Sequence, residues 1–215
     1  MPKPVAREPL RRNSRSNRAR ILATARLELG RNPDITLEEL ARAAGVVRRT
    51  LFGHFPGRAA LLEALAEEAS DTLRSTMAAG AKPTEAEPES EPEPAERALA
   101  RFVVAMWPVG DRYRMLLSLA RHDLGAERVA EILAPARDEV TAILERGQRD
   151  GVFHTLLPPA ALSGGLEGML LALLESVNIG ALEDDGTRAA VVTLVAAGVP
   201  EDRARAVVAE VASGS

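Results

Sequence analysis

Two adjacent arginines, Arg48 and Arg49, with Thr50 beside them and His54 one helical turn further on, are the residues here whose types and spacing fit a specific chemistry. A guanidinium offers two parallel N–H donors that match O6 and N7 of guanine, while short polar side chains nearby hold phosphate oxygens. That chemistry is the reading of duplex DNA. The rival constellation is Arg121-His122-Asp123, a cation, an imidazole and a carboxylate in sequence, which could orient a ligand or serve an enzyme. Nothing else in the chain supports catalysis. His54, His122 and His154 lie far apart and none stands at metal-ligand spacing with another. Gly164, Gly165 and Gly168 lack the following Lys-Ser/Thr of a phosphate loop. With no cysteine there is no thiol nucleophile and no thiolate site, so neither metal nor cofactor is expected and the chain does not read as an enzyme.

The elements that must position the arginines are legible in the stretch 36–58, TLEELARAAGVVRRTLFGHFPGR. Thr36 followed by Glu39 is a capping box and predicts a helix start, and Gly45 predicts its end. Leu37, Leu40 and Ala41, then Val46, Leu51 and Phe55, recur at three- and four-residue spacing, the period of two short helices on one core. Two helices joined by a short turn containing glycine make a helix-turn-helix, whose second helix, about 47–54, carries Arg48, Arg49, Thr50 and His54 outward. A preceding helix from about Ser16, with Ile21, Leu22, Ala25 and Leu29 on one face and Gly30 as its stop, supplies the third side of the bundle.

Ala44-Gly45-Val46, then Thr50-Leu51-Phe52-Gly53-His54-Phe55, then Arg58 and Leu61-Leu62, resemble the DNA-binding region of TetR-type transcriptional regulators over about 18–65. Three positions depart from the family's pattern. Val47 stands where a Ser or Thr usually caps the recognition helix, a cap worth about 1 kcal/mol. Phe52 replaces a Tyr whose hydroxyl touches phosphate, and Arg58 replaces a Lys with its charge kept. With the resemblance, the DNA-facing set is Thr36, Leu37, Arg48, Arg49, Thr50, Phe52, Gly53, His54 and Arg58.

Charge is divided along the chain. Of 27 Lys+Arg and 31 Asp+Glu, giving a net charge of -4, residues 1–60 hold 13 of the bases against 5 of the acids. A basic module joined to an acidic one suits a nucleic-acid reader attached to something that does not bind nucleic acid. Residues 1–15, with Lys3, Arg7, Arg11, Arg12 and Arg15 and with Pro2, Pro4 and Pro9, read as a disordered basic arm that follows phosphates or enters the minor groove. Residues 80–95, alternating Pro and Glu with no apolar face, read as a disordered acidic loop. No run of about 18 uninterrupted apolar residues is present, the longest candidate being 166–174 with Glu167 inside it. No apolar segment follows the N-terminal bases as in a secretory signal. A cysteine-free chain fits the reducing cytoplasm, the expected location.

Alanine, leucine, arginine and glutamate dominate and β-branched runs are scarce, so the fold class expected is all-α: a three-helix DNA-binding domain at 16–60 and a larger helical domain at 61–215. In the latter, helices are expected from 61 to about 77, from Leu99 to near Pro108, from Met115 to near Gly125, and from Val129 to about Arg149 past Pro135. Three more follow, at 160–177, from about Asp185 and at 200–212. The helix over 160–177 is apolar nearly all round, which calls for a partner on more than one side. The resemblance implies that it and the following helix form a four-helix dimer interface, with Leu162, Leu166, Leu170, Leu173, Val177, Val191, Leu194 and Val195 as candidates. A small-molecule pocket would be mainly aliphatic, built from Phe102, Met106, Trp107, Met115, Leu119, His122 and Met169. The expected function is a cytoplasmic, homodimeric, ligand-responsive repressor on a palindromic operator. The alternatives are a membrane-surface or scaffold helical protein using the basic arm, and an enzyme sited around Arg121-His122-Asp123.

Overall fold

The structure is a computed structural model that describes residues 7–80 and 93–214, with side chains there except at 7–12, 118 and 120–122. Among the described residues the chain is helical and without strands: α1 (Arg7–Arg31), α2 (Leu37–Ala43), α3 (Arg48–His54), α4 (Arg58–Gly80), α5 (Ala95–Asp123), α6 (Ala126–Arg149), α7 (Pro159–Asn178), α8 (Thr187–Ala196) and α9 (Glu201–Ser213). It divides into two compact units, the first comprising residues to Glu68 with Met115–Val129 and the second Ala69–Arg114 with Ala130–Ser215. The first unit thus runs past residue 60. The start of α4 is the reason, since Leu61, Leu62, Leu65 and Ala66 are all buried in the first unit.

In that unit α1, α2 and α3 pack on one another around Ile21, Leu22, Ala25, Leu29, Leu40, Ala41, Leu51 and Phe55, all buried. The core is the one the spacing predicts except at Leu37 and Val46, which are half-buried. α1 begins at Arg7, however, not near Ser16, so residues 7–15 of the expected disordered arm are helical, while 1–6 lie outside the described residues. Pro9 permits this because it falls in the first helical turn, where no intrahelical partner awaits its missing N–H. The acidic loop expected at 80–95 falls, over 81–92, outside the described residues as well.

The second unit corrects two expectations. α5 does not stop near Pro108 but runs unbroken from Ala95 to Asp123. Proline deprives the carbonyl four residues back of its donor, at about 3 kcal/mol in a helix interior. Pro108 is solvent-exposed, where water can take that carbonyl, and Leu99, Ala100, Val103, Trp107 and Tyr113 are buried on either side of it. α7 is the second case, being at 20 residues long and apolar enough to cross a membrane by length and composition. Counting only uninterrupted large apolar residues misses this, because Gly, Ala and Ser fill the gaps. Within the unit one side of α7 is packed: Leu162, Ser163, Leu166 and Leu174 are buried, and Glu167 receives two hydrogen bonds from Arg137 at 2.9 Å. That pairing raises the Arg137 pKa further above its ordinary value.

Candidate nucleic-acid interface

The frame of the interface is set by two helix ends. The Glu39 amide donates to the Thr36 hydroxyl oxygen at 3.2 Å, and the Thr36 amide donates to the Glu39 carboxylate at 2.9 Å. The predicted capping box is thus complete. The same Thr36 amide and the Thr36 hydroxyl hold the Glu39 carboxyl below its ordinary pKa, since both favour its charged form. At the other end Gly45 adopts φ +62°, its amide donates to Arg42 O at 3.1 Å, and the Val46 amide donates to Ala41 O at 2.9 Å. This pair of bonds is a Schellman closure, and it needs a left-handed residue that glycine supplies without a Cβ penalty. It turns the chain at once into α3.

α3 starts at Arg48 with Val47 at its N-cap, where no side-chain hydrogen bond is made. The cap that the sequence lacks is lacking in the structure. Buried Leu51, with Phe55 just past the helix end, fixes which way α3 faces. Arg48, Arg49 and Gly53 are consequently exposed, with Thr50, Phe52 and His54 half-buried. Thr36 is exposed and Leu37 half-buried at the start of α2.

Three arginines have partners that no sequence spacing announces. The Arg48 guanidinium meets the Glu38 carboxylate of α2 at 2.9 Å and lies 5.1 Å over the centre of the Phe52 ring. Arg18, on α1, lies 5.5 Å over the ring of buried Phe55. Arg58 departs most from expectation. Its guanidinium donates to Pro33 O at 2.6 Å and to Ile35 O at 3.4 Å, and reaches Asp123 Oδ2 at 3.4 Å. It ties down the loop between α1 and α2, so its donors are not free for a phosphate in this conformation. Glu38 is the residue that sequence reasoning missed, because positions 38 and 48 belong to different helices.

Residues 21–65 match the family described as bacterial regulatory proteins, tetR family. That segment is similar to the DNA-binding region of TetR-type regulators. No curated protein is matched. The solved structures it resembles include a gamma-butyrolactone receptor described as ArpA-like, at TM-score 0.70 and 19% identity over 94% of this chain and 100% of that one. The TetR family protein CprB from S. coelicolor A3(2) follows at TM-score 0.69 and 19% identity, over 94% and 100%. RolR in complex with resorcinol is similar at TM-score 0.53 and 20% identity, over 92% and 95%. At such identities the likeness shows a common fold: an N-terminal helix-turn-helix and a larger helical C-terminal part. Among the described residues the chain shares that all-α fold.

The remaining expected sites are distributed less simply. Leu162, Leu166 and Leu194, expected in a dimer interface, are buried within the second unit. They are consumed by the packing of α7 on α8 and α8 on α9. Leu170, Leu173, Val177 and Val191 are half-buried, and Val192 and Val195 are exposed. Of the pocket candidates, Met115 and Leu119 fall in the first unit, and Phe102, Met106, Trp107 and Met169 in the second. The side chains of Arg121 and His122 lie outside those described. Trp107 is buried, its indole N–H donates to Asp184 O at 3.0 Å, and a Cβ on Gly186 would stand 2.7 Å from the Trp107 Cβ. Nearby, a polar depression of about 440 Å³ is lined by Glu183, Asp184, Asp185, Thr187 and Arg188. The Asp185 carboxyl there is held below its ordinary pKa by the Thr187 hydroxyl and amide.

Proposed function

We propose that this chain is a TetR-type, ligand-responsive repressor that binds a near-palindromic operator as a homodimer in the cytoplasm. The observation that carries the DNA reading is the exposure of Arg48 and Arg49 in the first turn of α3, on a helix whose opposite side is anchored by buried Leu51. In this arrangement Arg48 and Arg49 read base edges, and Thr36, Leu37, Thr50, Phe52, Gly53 and His54 complete the DNA-facing surface. Arg58 supports that surface from behind. Two recognition helices of a dimer would enter successive major grooves about 34 Å apart, hence the palindrome.

Dimerisation is supported by the outer face of α7. Gly164, Gly165, Gly168 and Ala172 are exposed, and a Cβ placed on any of the three glycines would meet nothing within 4 Å. The chain's own packing does not require glycine there, and each costs about 1 kcal/mol against alanine in a helix interior. Close approach of a second backbone would account for them. Val192 and Val195, exposed on α8, extend the same apolar character.

Effector control is supported by the likeness to a gamma-butyrolactone receptor and to a protein solved with resorcinol. A small, weakly polar effector would meet Phe102, Met106 and Met169 in the second unit. The experiment for the DNA function is selection of bound sequences from random duplexes at moderate salt. A two-fold-symmetric motif is expected; no sequence preference would refute the proposal.

A further inference from the structure

Building on the DNA-reading function just proposed, we infer that Glu38 is a specificity-determining residue: its carboxylate and the Phe52 ring hold the Arg48 guanidinium in one place, so that Arg48 discriminates one base pair while Arg49 supplies adaptable contact. The argument begins with entropy. An exposed arginine has several rotatable bonds and loses rotamer freedom when fixed. A base reader that is already fixed loses less of it on binding, and because its donors point one way it rejects bases that do not match.

Arg48 meets this description. Glu38 on α2 approaches it at 2.9 Å, and its Cζ lies 5.1 Å over the ring centre of Phe52, one turn on along α3. Two different helices thus constrain one side chain, although it stays largely exposed at 69%. Arg49 is exposed beside it and, among the described residues, makes no hydrogen bond, ion pair or ring contact. The clamp also explains why Phe serves at position 52. Stacking needs the ring face and not the hydroxyl. Glu38 has a second effect in the same direction. A carboxylate on the DNA-facing surface repels phosphate, which weakens sequence-independent binding and so widens the gap between the right site and any other.

The test uses the full-length chain and Glu38→Gln, which keeps size and hydrogen bonding but not charge. An exposed ion pair contributes little to stability, so this variant folds, as its thermal melt would verify. Random-duplex selection with the unmodified chain first defines the preferred half-site. Each base pair of that half-site is then varied in titrations of both proteins, with Asp34→Asn, an exposed acid in the loop before α2, as the control for charge alone. For Glu38→Gln we expect discrimination to fall at one base pair per half-site by roughly two- to fivefold, the size of an exposed ion pair. Affinity for unrelated duplex should rise at the same time. Arg48→Ala should abolish discrimination at that same base pair. Asp34→Asn should leave the pattern unchanged. Retained sequence preference with no position-specific loss in Glu38→Gln, or an equal effect of Asp34→Asn, overturns the role of Glu38 alone. Absence of any preference in the unmodified chain overturns the DNA-reading function and this inference with it.

Discussion

Val47 shows how a single residue can weaken a helix without altering the fold. It occupies the N-cap of α3 with extended backbone (φ -75°, ψ 148°) and 69% exposure, which is the geometry a Ser or Thr needs to accept the amide of the third helical residue. Val47→Ser should therefore stabilise the chain by about 1 kcal/mol, read as a rise in denaturation midpoint with unchanged slope. Arg58 gives the complementary case, because its role was legible only as a charge. The sequence placed a cation at the start of α4, but not the carbonyls of Pro33 and Ile35 or the carboxylate of Asp123 that surround it. Those partners sit 25, 23 and 65 residues away, beyond the reach of any local pattern. Arg58→Ala should lower stability by about 1–2 kcal/mol, the scale of hydrogen bonds from a charged donor. The slope of log affinity for DNA against log salt should stay as it was. A slope reduced by about 0.9 per half-site would instead identify Arg58 as a phosphate contact.

At the scale of elements, what could be read in advance is whatever local spacing controls. The capping box, the glycine turn and the buried faces of α1 to α3 are set within a few residues of one another, and they stand where the sequence puts them. Pro108 and the N-terminal end of α1 were misjudged because proline's effect depends on where in a helix it falls and on what is packed around it. The capping box has a consequence in acid. Glu39 titrates below its ordinary value in the folded chain, so its contribution is fully present above the unfolded carboxylate pKa of about 4.3 and is lost as pH falls through the lower folded value. Urea melts should show the unmodified chain more stable than Glu39→Gln near neutrality, with the difference shrinking below pH 4.3 or so. On α7 the hydrophobic period identified a buried helix but not which side faces inward, since nearly every position is apolar or small. With Leu162 and Leu166 turned in, the outer glycines carry the prediction. Gly164→Ala together with Gly168→Ala should make the helix intrinsically more stable by about 1 kcal/mol per site, yet weaken the dimer because the added methyls hold two backbones apart. Sedimentation equilibrium would report the shift towards monomer. Tighter association in the double variant would exclude this face from the interface.

At the scale of the whole molecule, the first 60 residues carry a marked excess of base and the remainder an excess of acid, so DNA attraction and DNA avoidance are allotted to different parts of one chain. Effector control requires one more property: the ligand must bind more tightly to the conformation that binds DNA less well, and by linkage DNA must then weaken ligand binding by the same factor. Trp107 provides the means of measuring this linkage. It is the only tryptophan, it lies on α5, and its indole N–H is bonded to the carbonyl of Asp184 in the segment between α7 and α8. A ligand that disturbs that segment should change its emission, and titration of the fluorescence gives a ligand affinity with and without operator DNA. Trial ligands are small lactones and phenols, the chemistry of two proteins with this fold. Coupling of the usual size would make the two affinities differ by roughly 5- to 150-fold, with DNA affinity reduced by the same factor when ligand is saturating. A ligand that binds with equal affinity in both titrations would leave the DNA equilibrium untouched, and its binding site would then play no part in regulation.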